Sequence, residues 1–413
     1  MFELVEDLAG AAHHGSVTAS SADLLDALNT TSGAVPSKST LPILECILFE
    51  QKEDRLVLSA TDLEISIVQE VPGVQFAANG EAGREGIAVP ARRLIDTLRA
   101  LPDLPVTFSA GEGEDEGQVA VRLETDQGEY KMVGHDGEDY PDLPTLESEE
   151  HRIEIESALL GRAISKTSFA VSQDALRPAM MGIYFEIGPE EGRTVATDGH
   201  RLVRLTTDAM VSEEELSFIV PEKALSLAGR VASGQPEAEE GEDGDGGLCT
   251  VTVGEGHVGF NFGSAKVMAR LIDETYPNYG AVIPDENEKR LTVGREALLA
   301  AAKRVGLYSS STTNQIRLEI AGDRLEISAE DIERSSEAHE EVRCDFDGKG
   351  EQEMTIGFNA NYLTEVLSNL SGVEDVVFKL STPNRAGIVL PDEQREGEDM
   401  LMLIMPVMLN TYA

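Results

Sequence analysis

The sequence predicts an α+β protein made of one unit written three times, each copy carrying two helices packed on antiparallel sheet. Three observations predict it. An Asp-centred string recurs as Leu58-Ser-Ala-Thr-Asp-Leu-Glu-Ile65, Val195-Ala-Thr-Asp-Gly-His-Arg-Leu202 and Ile327-Ser-Ala-Glu-Asp-Ile-Glu-Arg334. Its aspartates, Asp62, Asp198 and Asp331, lie 136 and then 133 positions apart. Upstream, apolar runs end in Phe49-Glu50, Phe185-Glu186 and Leu318-Glu319, at the same two intervals.

The elements follow in order within each copy. A first helix begins near Ser21, Glu156 and Arg295, with apolar pairs Leu24-Leu25, Leu159-Leu160 and Leu298-Leu299. Leu28, Ala163 and Ala302 follow four positions after the first of each pair, which keeps one helix face apolar. A second helix begins at Val89-Pro90, Val220-Pro221 and Phe358-Asn359, with Leu94, Leu225 and Leu363 in equivalent places. Proline is expected in the first turn of two of these helices, where its missing N–H would have no partner anyway. Between helices the chain reads as short strands, among them Arg55 to Ser59 and Asp323 to Ser328. Tyr140-Pro141 and Tyr276-Pro277 close the first two copies, and Met405-Pro406 stands where the third would close. The expected domains are 1–148, with an N-terminal extension of about 14 residues, then 149–285 and 286–413. Acidic glycine-rich stretches at Gly111–Gly117 and Gln235–Gly247 read as extended hairpin loops.

Composition narrows the class. The chain has 413 residues, enough for two to four domains, and 41 % hydrophobic content, which is globular. No stretch approaches the roughly 20 apolar residues of a membrane span. Glu3, Glu6 and Asp7 stand where a secretory signal would be basic. Cys46, Cys249 and Cys344 are scattered and read as reduced thiols of a cytoplasmic protein. The net charge of −43 argues on its face against nucleic acid, whose phosphates attract Lys and Arg. Charge speaks to steering rather than fold, so the placement of the 33 basic residues decides.

Many of them fall on the predicted helices. Arg92, Arg93 and Arg99 lie on the second helix of the first copy. Arg162 and Lys166, then Lys223 and Arg230, lie on the two helices of the second. Arg295, Lys303 and Arg304 lie on the first helix of the third. Pairing with neighbouring acids explains some of these. Together they predict a positive surface, inside an acidic shell, that meets phosphate without reading bases. The pattern has gaps: Asp23 and Asp26 lie on the very first helix, and the last helix has no basic residue.

Catalytic and metal motifs are missing. Gly111–Gly117 holds four carboxylates and no Lys-Ser/Thr pair, so it would repel phosphate. Asp243 and Asp245 suggest a calcium loop, but Gly254 stands where its closing glutamate should be. Thr197-Asp198-Gly199-His200-Arg201 alone looks chemical, since Asp198 and His200 are two apart and fit a metal or acid–base enzyme. Neither repeat partner keeps the histidine, so the shared aspartate reads as a turn or cap residue. A scaffold that binds proteins and never meets DNA is the other alternative.

Five segments together resemble the β subunit of bacterial DNA polymerase III, the replication sliding clamp. They are Thr40-Leu-Pro-Ile-Leu44, Val195 to Leu202, Tyr276-Pro-Asn-Tyr279, Ile356 to Tyr362 and Met405-Pro-Val-Met-Leu409. The resemblance runs from about Ser16 to the C-terminus. It implies three clamp domains per chain, dimerising head to tail into a six-domain ring around duplex DNA, with no catalysis, metal or cofactor. It further implies a cleft between the second and third domains that takes short apolar-anchored peptides from the replicative polymerase, the clamp loader and other partners. Carried over by position, that cleft comprises Met180, Thr197, Gly199, His200, Arg201, Leu202, Pro277, Val282, Asn359, Tyr362 and Leu403-Ile404-Met405-Pro406-Val407-Met408-Leu409. The dimer seam would set Tyr130 and Met132 against Leu307 and Tyr308 of a second copy, and Lys38 would sit in a DNA-contacting loop. Family members often carry Arg where this chain has Gly280-Ala281 and where it has Met408, so the rim is expected to be less basic. Asn410 to Ala413 extend past the usual end.

Overall fold

A computed structural model describes residues 14–77, 86–113, 117–146, 151–235 and 247–409. Six α-helices lie among them: α1 (Ser21–Thr31), α2 (Ala91–Ala100), α3 (Ser157–Thr167), α4 (Glu222–Ser233), α5 (Arg295–Gly306) and α6 (Ala360–Asn369). Each starts within two residues of its expected place. Local chemistry sets several of these starts. The Ser20 hydroxyl accepts from the N–H groups of Ala22 and Asp23 at the head of α1, and Asn359 Oδ1 accepts from Asn361 and Tyr362 at the head of α6. Helix α1 buries Leu24, Ala27, Leu28 and Thr31, the face its spacing predicts. Each such leucine contributes about 1.5–3 kcal/mol by leaving water.

One expectation changes. Pro90 is the N-cap of α2 and Pro221 ends the strand before α4, so both prolines precede the first turn rather than fill it. The expected hairpin loop at 235–247 falls after α4 and before the strand Leu248–Val253. Gly111–Gly117 does lie between antiparallel strands, Pro105–Glu112 and Gln118–Glu124. Residues 114–116 and 236–246, within these stretches, and residues 1–13 of the expected extension lie outside the described residues.

The chain forms two compact units, residues 1–160 with 227–270 and residues 161–226 with 271–413, so the second copy is divided between them. Sheet continuity is the reason. In the first unit a thirteen-stranded sheet joins copies one and two, because Ile65–Val71 pairs antiparallel with Ala265–Arg270. In the second unit a twelve-stranded sheet joins copies two and three, because Arg201–Thr207 pairs antiparallel with Glu398–Ile404. Helix α1 packs on α2 within the first unit, and α5 on α6 within the second. Stacked rings fill the cores, Phe49 on Phe108 at 4.8 Å and Phe185 on Phe218 at 5.2 Å.

Candidate partner-binding cleft

The shared aspartate is a turn residue. Asp198 Oδ1 accepts from the N–H groups of His200 (2.8 Å) and Arg201 (3.0 Å), while the Thr197 hydroxyl donates to the Arg201 carbonyl (2.7 Å). Asp62 repeats this with Glu64 and Ile65, and Asp331 accepts from Arg334. Gly199 stands at φ +89°, and a Cβ there would lie 2.8 Å from Arg177 Nη1. Only glycine suits both constraints.

This turn is braced from three directions within the second unit. Arg177 donates through Nη1 to the Asp198 carbonyl (2.9 Å) and through Nε to Asp174 (2.9 Å). The Leu176 N–H and that guanidinium hold the Asp174 carboxyl below the usual carboxylate range. Arg201 is buried; Nε reaches Asp198 Oδ2 at 3.1 Å and Nη1 pairs with Glu365 on α6. Its guanidinium lies 4.9 Å from the Tyr362 ring centre and 5.3 Å from that of Phe169. On the last side Met405 N donates to the His200 carbonyl (2.8 Å), and Val407 N to Gly357 (2.9 Å), which ties the C-terminal tail against the strand Glu353–Asn359.

Of the residues expected to line a cleft, some are exposed and others are buried. Gly199, His200, Val282, Met405 and Met408 are exposed, and Met180, Pro277, Asn359, Tyr362, Pro406, Val407 and Leu409 half-buried. Leu202 (1 % exposed), Leu403 (2 %) and Ile404 are core residues, against expectation, and Thr197 and Arg201 are buried as well. Leu202 lies opposite Leu403 in the sheet and packs with Val195, Ile219, Tyr276 and Ile388. The Tyr184 and Tyr276 rings, stacked 4.6 Å apart, belong to the same core. Burial and the Glu186 carboxylate that accepts its hydroxyl push the adjacent Tyr279 up to about 12. Gly280, Ala281 and Met408 leave the rim without a cation at those positions, and Arg177 and Arg201 are both paired with carboxylates. Asp174, Arg177, Phe169 and Glu365 were not expected. No spacing signals them, because Arg177 and Glu365 reach the turn only through the fold.

Nothing here is arranged for catalysis. Asp198 uses both oxygens on the turn and Arg201, and exposed His200 holds Nδ1 4.0 Å from Asp198 Oδ1. Among the described residues no cluster of three His, Cys, Asp or Glu side chains is placed to hold a metal. Burial pushes the thiols of Cys46 and Cys344 up to about 11 and that of Cys249 up to about 12, away from nucleophilic range.

Several of the basic helix residues make contacts within the fold. Arg162 Nε donates to Glu398 (2.9 Å), Lys166 Nζ to the Asn369 carbonyl (2.5 Å) and Ser371 (3.1 Å), and Arg295 to the carbonyls of Val373 and Leu367. Burial and the nearby Arg162 and Arg295 guanidinium groups lower the Lys166 pKa. Arg304 makes a two-point pair with Glu340, and Arg99 contacts Asp96 and Asn29. These five also serve contacts within the fold, and Arg99 and Arg304 stay largely exposed while doing so. Lys38, Arg92, Arg93, Lys223, Arg230 and Lys303 are exposed. At the expected seam Leu307 (81 %) and Tyr308 are exposed and Tyr130 half-buried. Met132 is buried, because strand alternation turns it inward and its neighbour Val133 outward.

Models of the three domains of the DNA polymerase III beta subunit match in chain order. The N-terminal domain matches residues 16–144, the central domain 154–278 and the C-terminal domain 280–408. The chain is 30 % identical to the beta sliding clamp of Pseudomonas putida, over 94 % of this chain and 98 % of that one. The chain belongs to the bacterial DNA polymerase III beta subunit family. It is likewise 30 % identical to the beta sliding clamp of Caulobacter vibrioides, over 91 % of this chain and 95 % of that one. Among solved structures, a Pseudomonas aeruginosa sliding clamp bound to griselimycin superposes with a TM-score of 0.82 at 28 % identity, covering 97 % of this chain and 100 % of that one. A Thermotoga maritima beta subunit shares the fold at a TM-score of 0.83 and 23 % identity, covering 96 % of this chain and 100 % of that one. The first match begins at residue 16, just after the stretch for which the sequence offers no counterpart.

Proposed function

We infer that this sliding clamp, a processivity factor and not a catalyst, encircles duplex DNA as a head-to-tail homodimer closed into a six-domain ring. The reading assigns it to the cytoplasm, where a clamp loader opens it and the replicative polymerase and other DNA-processing proteins bind it by short peptides. The observation that carries the peptide reading is the braced turn at Asp198–Arg201, with exposed Met405, Met408 and Val282 beside buried Leu202 and Leu403. A fixed polar turn at the edge of an apolar floor suits a peptide with apolar anchors.

Two sheet edges support the dimer. The strand Glu129–Asp136 pairs with Gln118–Glu124 on one side, but on the other only His135 and Asp136 are paired, with Ala88 and Ile87. In Ser336–Asp347, residues 336–343 pair with Arg324–Asp331 on one side, and among the described residues no strand lies on their other side. Half-open edges of this kind invite a strand from another copy. For DNA, exposed Arg92, Arg93, Lys223, Arg230, Lys303 and Lys38 are the assigned phosphate contacts.

Deleting Met405–Ala413 tests the cleft. The deletion is expected to abolish capture of the cognate polymerase by immobilised clamp while leaving the clamp's sedimentation unchanged. Unaltered capture would refute the assignment.

A further inference from the structure

Leu176 is the most exposed large hydrophobic side chain among the described residues, at 90 %. It does not sit on a loose loop. Ser172 N donates to the Met180 carbonyl (2.9 Å), Asp174 N to the Ser172 hydroxyl (3.1 Å), Leu176 N to Asp174 Oδ1 (3.0 Å) and Arg177 N to the Asp174 carbonyl (2.9 Å). Arg177 then bridges this loop to the Asp198 carbonyl, at the turn that carries Gly199 and His200. Met405 is bonded to the carbonyl of His200 in the same turn. Leu176 and exposed Met405 thus belong to two of the segments fastened directly to the turn, one through Arg177 and one through the tail.

We propose that Leu176 is a further docking anchor of this cleft, and that it receives an apolar side chain of the partner segment lying outside the part held by the floor. The inference rests on the cleft reading above. A leucine held this far into water by a hydrogen-bonded loop gains no stability from its position, and the same rigidity removes most of the ordering cost of contact. The occupant's chemistry follows from the neighbours. Asp174 and Arg177 satisfy each other at 2.9 Å, so neither calls for a charged partner beside Leu176. The occupant is therefore an apolar residue of a bound protein segment.

The test uses the full-length clamp and two fluorescein-labelled peptides copied from the cognate polymerase's clamp-binding segment. One is confined to the hydrophobic anchors and the other carries its native flanks. Leu176→Ser is expected to weaken the long peptide about tenfold, the loss when one leucine no longer leaves water on binding. The short peptide keeps its affinity, and Leu176→Met restores the long one. Equal affinities of both peptides for Leu176→Ser and the parent clamp would overturn the proposal, as would equal weakening of both. Altered sedimentation of the free variant would also overturn it, by assigning Leu176 to contacts between copies. If the parent clamp binds neither peptide, the cleft reading itself fails and the anchor falls with it.

Discussion

The same strand joint is built twice in this chain, and the proposed peptide surface lies at only one of the two. Where copies one and two share a sheet, Ile65 lies opposite Ala269 and Arg270 N donates to the Glu64 carbonyl at 2.9 Å. Where copies two and three share one, Arg201 lies opposite Ile404 and Met405 N donates to the His200 carbonyl at 2.8 Å. The aspartate turn, the threonine bond and a buried closing tyrosine recur, with Tyr140 donating to the Cys46 carbonyl in one and Tyr276 to that of Val195 in the other. The backbone scaffold is common to both. What differs is a few side chains: Ile65 is plain core, whereas its counterpart Arg201 ties Asp198 to Glu365 and lies against Tyr362. After Arg270 the chain passes into the second unit, whereas after Met405 the segment to Leu409 is half-buried and bonded to Gly357, with Met408 exposed. Joint and binding site are therefore separable: the first is a property of strand pairing, the second of what is mounted on it.

The largest effect that sharpens this contrast comes from Arg201→Ala. Removing one partner of a buried charge group costs about 3 kcal/mol, near the low end for such pairs because Glu365 is half exposed. Polymerase affinity is expected to fall with it. Ile65→Ala costs a similar amount, about 2–4 kcal/mol, by leaving a cavity, but leaves polymerase affinity intact. Urea unfolding and a binding titration on the two variants check this; equal losses of binding would erase the distinction.

A smaller effect separates the two turns. Gly199→Ala places a Cβ at φ +89° against Arg177, and should cost about 1–2 kcal/mol. Leu63 already tolerates φ +77° at the matching position, so Leu63→Gly should be near neutral. There the relief of left-handed strain and the added freedom of the unfolded chain offset each other, about 1 kcal/mol each. Opposite results in thermal melts would mean the turns are not equivalent.

The smallest effect is alkaline. Burial pushes Tyr140 up to about 12 from its ordinary value of 10.0. A folded-state value above the unfolded one gives stability that is whole below pH 10 and lost as pH rises toward 12. Tyr140→Phe should flatten that limb of a stability–pH curve, and Tyr276→Phe should do the same at the other joint, since burial raises Tyr276 as well. Each change also removes a hydroxyl bond worth about 1 kcal/mol.

Much of the scaffold was legible in the sequence because it is local and periodic. Helix starts follow from leucine spacing, and the three aspartates announce one turn at nearly equal intervals. Of the proposed site, the sequence announces the segments but not which side chains they expose. Leu202 and Leu403 lie in the expected cleft segments, yet strand parity turns both inward. Met132, expected at the seam, is buried for the same reason. The basic residues were harder, since a helix position does not disclose that Arg162 will meet Glu398 or Lys166 the end of α6. Such pairs form between residues more than two hundred positions apart, and only the fold sets their distance.

The central claim, a closed ring held on DNA by topology, is tested most directly by loading the clamp on nicked circular DNA with its cognate loader and then linearising the DNA. A net charge of −43 leaves little attraction to hold it otherwise. The clamp is predicted to stay on the circle and to leave the linear molecule by sliding off its ends. Retention on linear DNA with a salt-dependent affinity would contradict the account.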